Sequence, residues 1–466
     1  MKKFIIGLLA VCFAGAALAF SGCRKNDPDR LEVIWDSIAF IYSFDDIDEA
    51  IRREEARFKT GAADESVSGA INLRKQIDNT KLMADWAREK SKSLKCVDWG
   101  WGDPLTQKLT AAFLAGQGPD IVCGEGQLPQ FMEQDQLEAF PNDLTDYIKA
   151  NVSPVAYNAM SKGGKIYGIS LCPSPTVLVW NKDILRAAGV SETVVENGPA
   201  TWAEWTAAME RVRDMGDASK LPGGVYYASN PGGYLRVGAL LNGANGGYAG
   251  ADGKPSVNTA ENGEALRFVR ETAKLNNYNT ALKGSDTGYF SAFKDGHLAY
   301  ILDGTWAISQ YGHLNFDLGY SYVPGVNADR RSDQLIGAGY MAVPKFSRKK
   351  ELAFECLKRM LQGDIQQNLG DGGIRAPVLK SVYEGDAYKA AFPKMQEFAA
   401  YAADKKITGL PAFAGTDNLA DVWAAFGAGL HNVTLSGNTD LIYSTDANAG
   451  TLLKAAQAAM TEAYNA

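Results

Sequence analysis

The chain has 466 residues with 47 Lys+Arg against 54 Asp+Glu, a formal net charge of −7. Hydrophobic residues make up 46%, charged residues 22% and aromatics 10%, which excludes a disordered, collagenous or coiled-coil chain. The acidic balance is a poor match to nucleic acid or an anionic membrane surface, and the length suggests two to three domains.

Lys2 and Lys3 precede an apolar run from Phe4 to Leu18, the pattern of a secretory signal. The run leads into Phe20-Ser21-Gly22-Cys23 and then polar residues. Small residues before a Cys resemble the bacterial lipobox, in which that Cys is acylated and becomes the new N-terminus. Residues 1–22 are therefore expected to be the signal and Cys23 the lipidation site; Phe20 departs from the Leu usual at that spacing. Ordinary cleavage near Ala17 or Ala19 is the alternative. No other apolar stretch is long enough to span a bilayer. Cys96, Cys123, Cys172 and Cys356 sit in apolar runs without a Cys-x-x-Cys pair. Buried thiols are the simple reading, and disulfides stay open.

Residues 23–68, the anchor and an N-terminal extension, carry no assignable structure. Leu31 to Phe44 is apolar and aromatic, while Asp45 to Lys59 suits a helix, its acidic start matching a helix N-terminus. From Gly69 the pattern is regular. Ile71 to Arg74 alternates like a strand, Lys81 to Lys92 has helical spacing, and Leu94 to Trp101 is again strand-like. A helix over Thr106 to Leu114 and a strand over Pro119 to Cys123 follow. Ile166 to Ile169 and Thr176 to Trp180 read as strands, and Asp183 to Ala188 as a helix stopped by Gly189. Thr201-Trp202-Ala203-Glu204 is a capping box, and residues 242–257 read as a Gly-rich surface loop. Leu298–Leu302 and Leu335–Val343 are strand-like; Glu351–Leu361, Leu419–Leu435 and Thr451–Tyr464 are helical. Alternating strands and helices imply an α/β architecture with largely parallel sheets.

Catalytic and metal patterns are missing from the sequence. Three His are scattered, and there is no His-Glu-x-x-His, Gly-x-Ser-x-Gly or Walker A spacing. Glu125, in a Gly-rich loop, is one half of a possible glycosidase pair, with no partner carboxylate singled out. An exported chain rich in aromatics and poor in catalytic groups points to binding, with no cofactor and no metal expected.

From Lys108 through Leu361 the sequence resembles the extracellular solute-binding proteins of bacterial ABC importers, in the sugar-binding, maltose-binding-protein-like branch. The likeness rests on Lys108–Ile121 with its Ala-Gly turn and Pro119-Asp120, on Gly164-Lys165-Ile166-Tyr167-Gly168-Ile169, and on Leu178–Leu185, where Trp180 replaces the usual Tyr. Pro199–Trp205, Phe293-Lys294-Asp295-Gly296 and Asp303-Gly304-Thr305-Trp306 continue it in the family's order. The resemblance implies two α/β lobes joined by a three-crossing hinge, with the ligand cleft between them. The first lobe is expected from 69–172 plus 325–372 and the second from 173–324 plus 373–466. Crossings are expected near 171–176, 323–327 and 371–377, rich in Pro or Gly.

A sugar presents apolar C–H faces and a hydroxyl rim, so its site calls for aromatic planes and short polar groups. Trp306 matches the family position whose ring stacks on sugar. Glu125 and Gln127 follow the Pro-Asp strand, where loops at strand carboxyl ends meet ligand. Trp99, Trp101 and Asp103 end the preceding strand, either Trp being site or core. Asn230, Tyr234, Asp303, Tyr340, Arg375 and Asp417 complete the set, with Trp423, which core packing also suits. The function implied is a monomeric, lipid-anchored extracytoplasmic protein that delivers a mono- or oligosaccharide to an ABC permease. A secreted glycan-acting enzyme, or the same fold binding a polyol or glycerol phosphate, are the alternatives.

Overall fold

The computed structural model describes residues 27–59, 67–100, 103–225, 231–276, 286–305, 307, 311, 314–329, 335–337, 339–371, 376–391, 422–423, 425–426 and 447–466. The first lobe is nucleated by period-two strands. In β1 (Arg30–Val33), Leu31 and Val33 are buried while Arg30 and Glu32 are partly exposed. β2 (Ser93–Cys96) repeats the pattern and pairs with it in parallel, Leu31 opposite Leu94 and Val33 opposite Cys96. Val33 also bridges Ile121 in parallel, which brings in β3 (Val122–Gly124). β12 (Tyr340–Ala342) pairs antiparallel with β3 and, on its other side, with β6 (Gly168–Ile169). The lobe's strand order is thus β2-β1-β3-β12-β6.

Three helices accompany this sheet. α1 (Ile47–Lys59) packs on α2 (Val67–Glu89), and α3 (Asp103–Ala115) links β2 to β3. Asp46 Oδ1 accepts the Glu49 N–H at 2.8 Å, so the acidic run does open α1. The core extends from Leu31, Trp35 and Phe40 through Ile121, Met341 and Leu357 to Val382.

In the second lobe, β7 (Ser174–Asn181) is buried at every residue, as a central strand covered on both faces must be. It pairs antiparallel with β9 (Leu298–Gly304) and β10 (Leu318–Tyr322), and β8 (Leu221–Gly224) adds to β9 in parallel. β11 (Leu335–Gly337) pairs with the first residues of β7. α8 (Trp202–Asp214), α9 (Pro231–Gly243) and α10 (Ala260–Leu275) cover this sheet. Trp202 stacks on Phe268 at 4.6 Å and Trp205 meets Tyr300 edge-on at 5.9 Å. Close packing demands a glycine at 319: a Cβ there would lie 2.0 Å from the Trp180 ring.

Several sequence expectations are corrected. Ile71 to Arg74 lies inside α2; four alternating residues also fit a helix that buries one side. The sheets are mixed, because the strands that return from each hinge crossing run antiparallel to their neighbours. The strand expected to reach Trp101 ends at Cys96, where Asp98 accepts the Gly100 N–H and the chain turns. The Thr201 cap forms, its Oγ1 accepting the Glu204 N–H at 3.2 Å, yet Glu204 reaches back to the Ala200 N–H rather than to Thr201. The 242–257 segment is not merely surface: Tyr248 and Val257 are buried, and Asn262 bonds both Gly247 and Val257.

Lobe limits differ too. Leu31 to Ile51, unassigned in the sequence, belong to the first core. Gly325 and Val326 still belong to the second lobe, held by the Trp202 N–H and the Gly243 carbonyl. Val378, Leu379 and Val382, downstream of 373, pack into the first. The helix expected over Leu419–Leu435 falls mostly outside the described residues, and the closing helix spans Ala447–Asn465.

Candidate functional site

Parallel β1, β2 and β3 end on one edge of the first lobe, where β12 begins and the chain leaves β6 toward Cys172. The carboxyl ends of parallel strands are where open α/β sheets meet ligand. This edge collects Asp36, Trp99, Glu125, Gln127, Cys172 and Tyr340. The second lobe answers with the end of β9, where Gly304 pairs with Thr176, next to the crossing at Cys172–Ser174.

Glu125 is half-buried, and its N–H donates to Gln127 Oε1 at 2.9 Å. The Gln127 amide donates in turn to Thr106 Oγ1 at 3.2 Å, which ties the loop to α3. Across the β3–β12 pair, Tyr340 lies opposite Gly124 and is only 3% exposed. Burial first, and then the Glu125 carboxylate, push its phenol up, so it remains a neutral donor at physiological pH. Trp99 is half-buried against the first core, and its carbonyl accepts from Lys108 at 3.2 Å. Asp103 opens α3, and Tyr234 lies in the first turns of α9.

One nominated residue has its carboxylate engaged inside the second lobe. Asp303 is 2% exposed, and its carboxylate faces Arg236 at 3.3 Å, the Gly304 N–H at 2.9 Å and the Tyr311 hydroxyl at 3.1 Å. Burial raises its pKa against the pull of Arg236. Its place is an internal organiser: Arg236 also donates to the Leu302 carbonyl, fastening α9 to the end of β9. Trp423 is partly buried and packs edge-on to Tyr248 and Phe426 against the second core. Trp306, Trp101, Asn230, Arg375, Asp417 and Cys23 lie outside the described residues.

Asp36 is the edge residue that the sequence reading missed. It is 1% exposed, accepts the Ile38 N–H at 2.9 Å, and receives the Cys172 thiol at 3.5 Å. Gly339, at φ +49°, packs so tightly against it that a Cβ would come within 2.8 Å of Oδ2. Asp36 thus touches the start of one hinge crossing, at Cys172, and the end of another, at Gly339. Its signal was an acid directly after the Val33-Ile34-Trp35 run.

The four described thiols are buried. Among the described residues, no group of three or more His, Cys, Asp or Glu is placed to hold a metal, and no helix is long and apolar enough to cross a membrane. What the edge offers is a carboxylate, an amide, a phenol and an indole, a set suited to hydroxyl groups and an apolar ring face.

Comparison with known proteins decides the family: the model for bacterial extracellular solute-binding proteins matches residues 94–396. The chain belongs to this family. The diacetylchitobiose binding protein DasA of Streptomyces coelicolor is 26% identical over 61% of this chain and 66% of its own. The arabinooligosaccharide-binding protein of Bacillus subtilis is 24% identical over 59% and 64%. The matches thus span just under two thirds of these relatives' lengths. Among solved structures, the GacH receptor of Streptomyces glaucescens, studied unliganded and with acarbose, superposes with a TM-score of 0.67 at 18% identity. That match covers 94% of this chain and 98% of GacH. UgpB from Mycobacterium tuberculosis, in complex with glycerophosphocholine, gives 0.67 at 18% identity over 84% and 96%. The periplasmic-binding-protein-like fold of two α/β lobes around a cleft follows from these likenesses.

Proposed function

We propose that this solute-binding protein captures a carbohydrate between its lobes and hands it to the permease of an ABC importer. The observation that carries this reading is the Glu125–Gln127–Tyr340 set beside Trp99 at the strand ends. It joins hydroxyl-reading groups to an aromatic plane, and a sugar needs both. The printed names of the relatives, diacetylchitobiose and arabinooligosaccharide binders, favour an oligosaccharide. Glu125 serves as an acceptor for hydroxyls, and the protein performs no catalysis. Trp306, Trp101, Asn230, Tyr234, Arg375 and Asp417 are proposed as further contacts. The protein acts as a monomer outside the cytoplasm, held by acyl chains on Cys23; one chain alone would anchor only weakly.

Calorimetric titration with defined oligosaccharides, followed by chromatography of the mixture, tests the reading. Saturable heat with the sugar recovered intact is expected. Cleaved sugar in the mixture, abolished by Glu125→Gln, would overturn it in favour of a glycan-acting enzyme. For the anchor, Cys23→Ser is expected to leave the membrane fraction with ligand affinity unchanged; persistence in that fraction would refute acylation.

A further inference from the structure

The segment between β1 and α1 is not absorbed by the reading above. It leaves β1 at Asp36 and arrives on the far side of β2, where Phe44 and Cys96 exchange both backbone hydrogen bonds, at 2.9 and 3.0 Å. To do so it must cross over the carboxyl ends of β1 and β2, the cleft edge itself. Its path is rigidly held. The Trp35 indole donates to the Ile41 carbonyl at 2.9 Å, the Ile41 N–H to Thr80 at 2.9 Å, and Asn79 to the Ala39 carbonyl at 3.1 Å. Trp35 stacks on Phe40 at 4.6 Å beneath it.

On this fixed arm one large side chain is turned out. Tyr42 is 48% exposed, and among the described residues only Leu114 is another large apolar side chain left in solvent. Its neighbours Ile41 and Phe44 are buried at 4% and 7%, so the backbone is anchored on both sides of it. Ser43, at φ +65°, makes the turn that presents it. Tyr42 lies two residues before Phe44, whose partner Cys96 ends β2 just ahead of Asp98 and Trp99. An aromatic held this firmly loses little conformational entropy on binding, which is what a stacking platform requires.

We propose that residues 37–44 form the outer end of the cleft and that Tyr42 stacks on the terminal unit of an oligosaccharide. This rests on the carbohydrate reading and names the size of the ligand. In the sheet order, the arm and β12, which carries Tyr340, are separated by four inter-strand steps of ~4.8 Å, roughly 19 Å. A ligand that touches both Tyr340 and Tyr42 must be longer than a single sugar ring.

The test is calorimetry on the full chain and on Tyr42→Ala and Tyr42→Phe, using α-1,4-gluco-, β-1,4-N-acetylglucosamine and α-1,5-arabino-oligosaccharides from two to six units. Tyr42→Ala is expected to weaken the longer members by roughly 3- to 10-fold and to leave disaccharides unchanged, with Tyr42→Phe like the parent. Melting without ligand should not move, since the ring lies in solvent. Equal affinities for parent and Tyr42→Ala across all lengths would overturn the assignment while leaving the carbohydrate reading intact. Tighter binding of long sugars by Tyr42→Ala would mean that the arm only blocks the cleft, and also overturns it. A parent that binds none of these sugars sinks both readings.

Discussion

Removing the Asp303 carboxylate probes the hidden frame of the second lobe. Asp303 and Arg236 are 2% and 6% exposed at their side chains and 3.3 Å apart. Asp303→Ala removes this carboxylate from the buried guanidinium, which keeps the Leu302 carbonyl among its contacts, and strips the Tyr311 hydroxyl of its acceptor. Breaking one partner of a buried pair costs about 3–5 kcal/mol, because the other charge stays desolvated. In urea, the transition followed by the second-lobe tryptophans is expected to move to lower denaturant, and thermal melting to fall by on the order of 10 °C. The double variant Asp303→Leu with Arg236→Met removes both charges and is expected to recover most of the loss. If Asp303→Ala melts like the parent yet weakens sugar binding, the carboxylate faces the ligand and the organiser role is wrong.

Gly223→Ala places a Cβ 2.2 Å from the Tyr300 carbonyl at φ +69°, so a loss of about 3 kcal/mol or more in urea unfolding is expected. Burial pushes the Cys96 thiol up to about 12 and raises that of Cys356 as well, so a thiol reagent at pH 8 should label neither until the chain unfolds; rapid labelling of the native protein would contradict their burial. Arg359 holds the Asp364 carboxyl below its ordinary value through two 2.7 Å hydrogen bonds. A depressed acid contributes stability above its unfolded pKa of about 3.8, and that contribution fades as pH falls through the folded value. Asp364→Asn should therefore flatten acid unfolding below pH ~4, by under ~1 kcal/mol because the side chain is half exposed. Trp306→Ala should weaken sugar binding roughly 10- to 1,000-fold with little change in ligand-free melting; a core Trp would instead cost about 3–5 kcal/mol of stability.

What the sequence disclosed followed from local rules. The Thr201 cap, the helix from Asp183 stopped by Gly189 and the apolar Val177–Trp180 run of β7 each depend on residues within a few positions of one another, and the motifs in family order led to the two-lobe fold. Misreadings arose where partners are distant. Nothing near Ile71 announces that α2 begins at Val67, because a four-residue alternation is shared by strands and by amphipathic helices. β1 went unassigned because the inserted arm and α1 separate it from α2 and hide the strand–helix spacing. Of the candidate site, the sequence located Glu125, Gln127, Trp99 and Tyr340 on one edge of the first lobe, since all four adjoin strand ends. Asp303 adjoins a strand end as well, but Arg236, 67 residues earlier in the chain, turns its carboxylate inward. Asp36 was missed because its partners Cys172 and Gly339 meet it only through the folded sheet.

The central claim is that two lobes close on a sugar, and small-angle X-ray scattering tests it most directly. A ligand touching both lobes favours the closed state, so its binding must shift the population toward closure. At saturating oligosaccharide, with binding verified by calorimetry in the same buffer, the radius of gyration is expected to fall. An identical scattering profile with and without bound sugar would contradict the account.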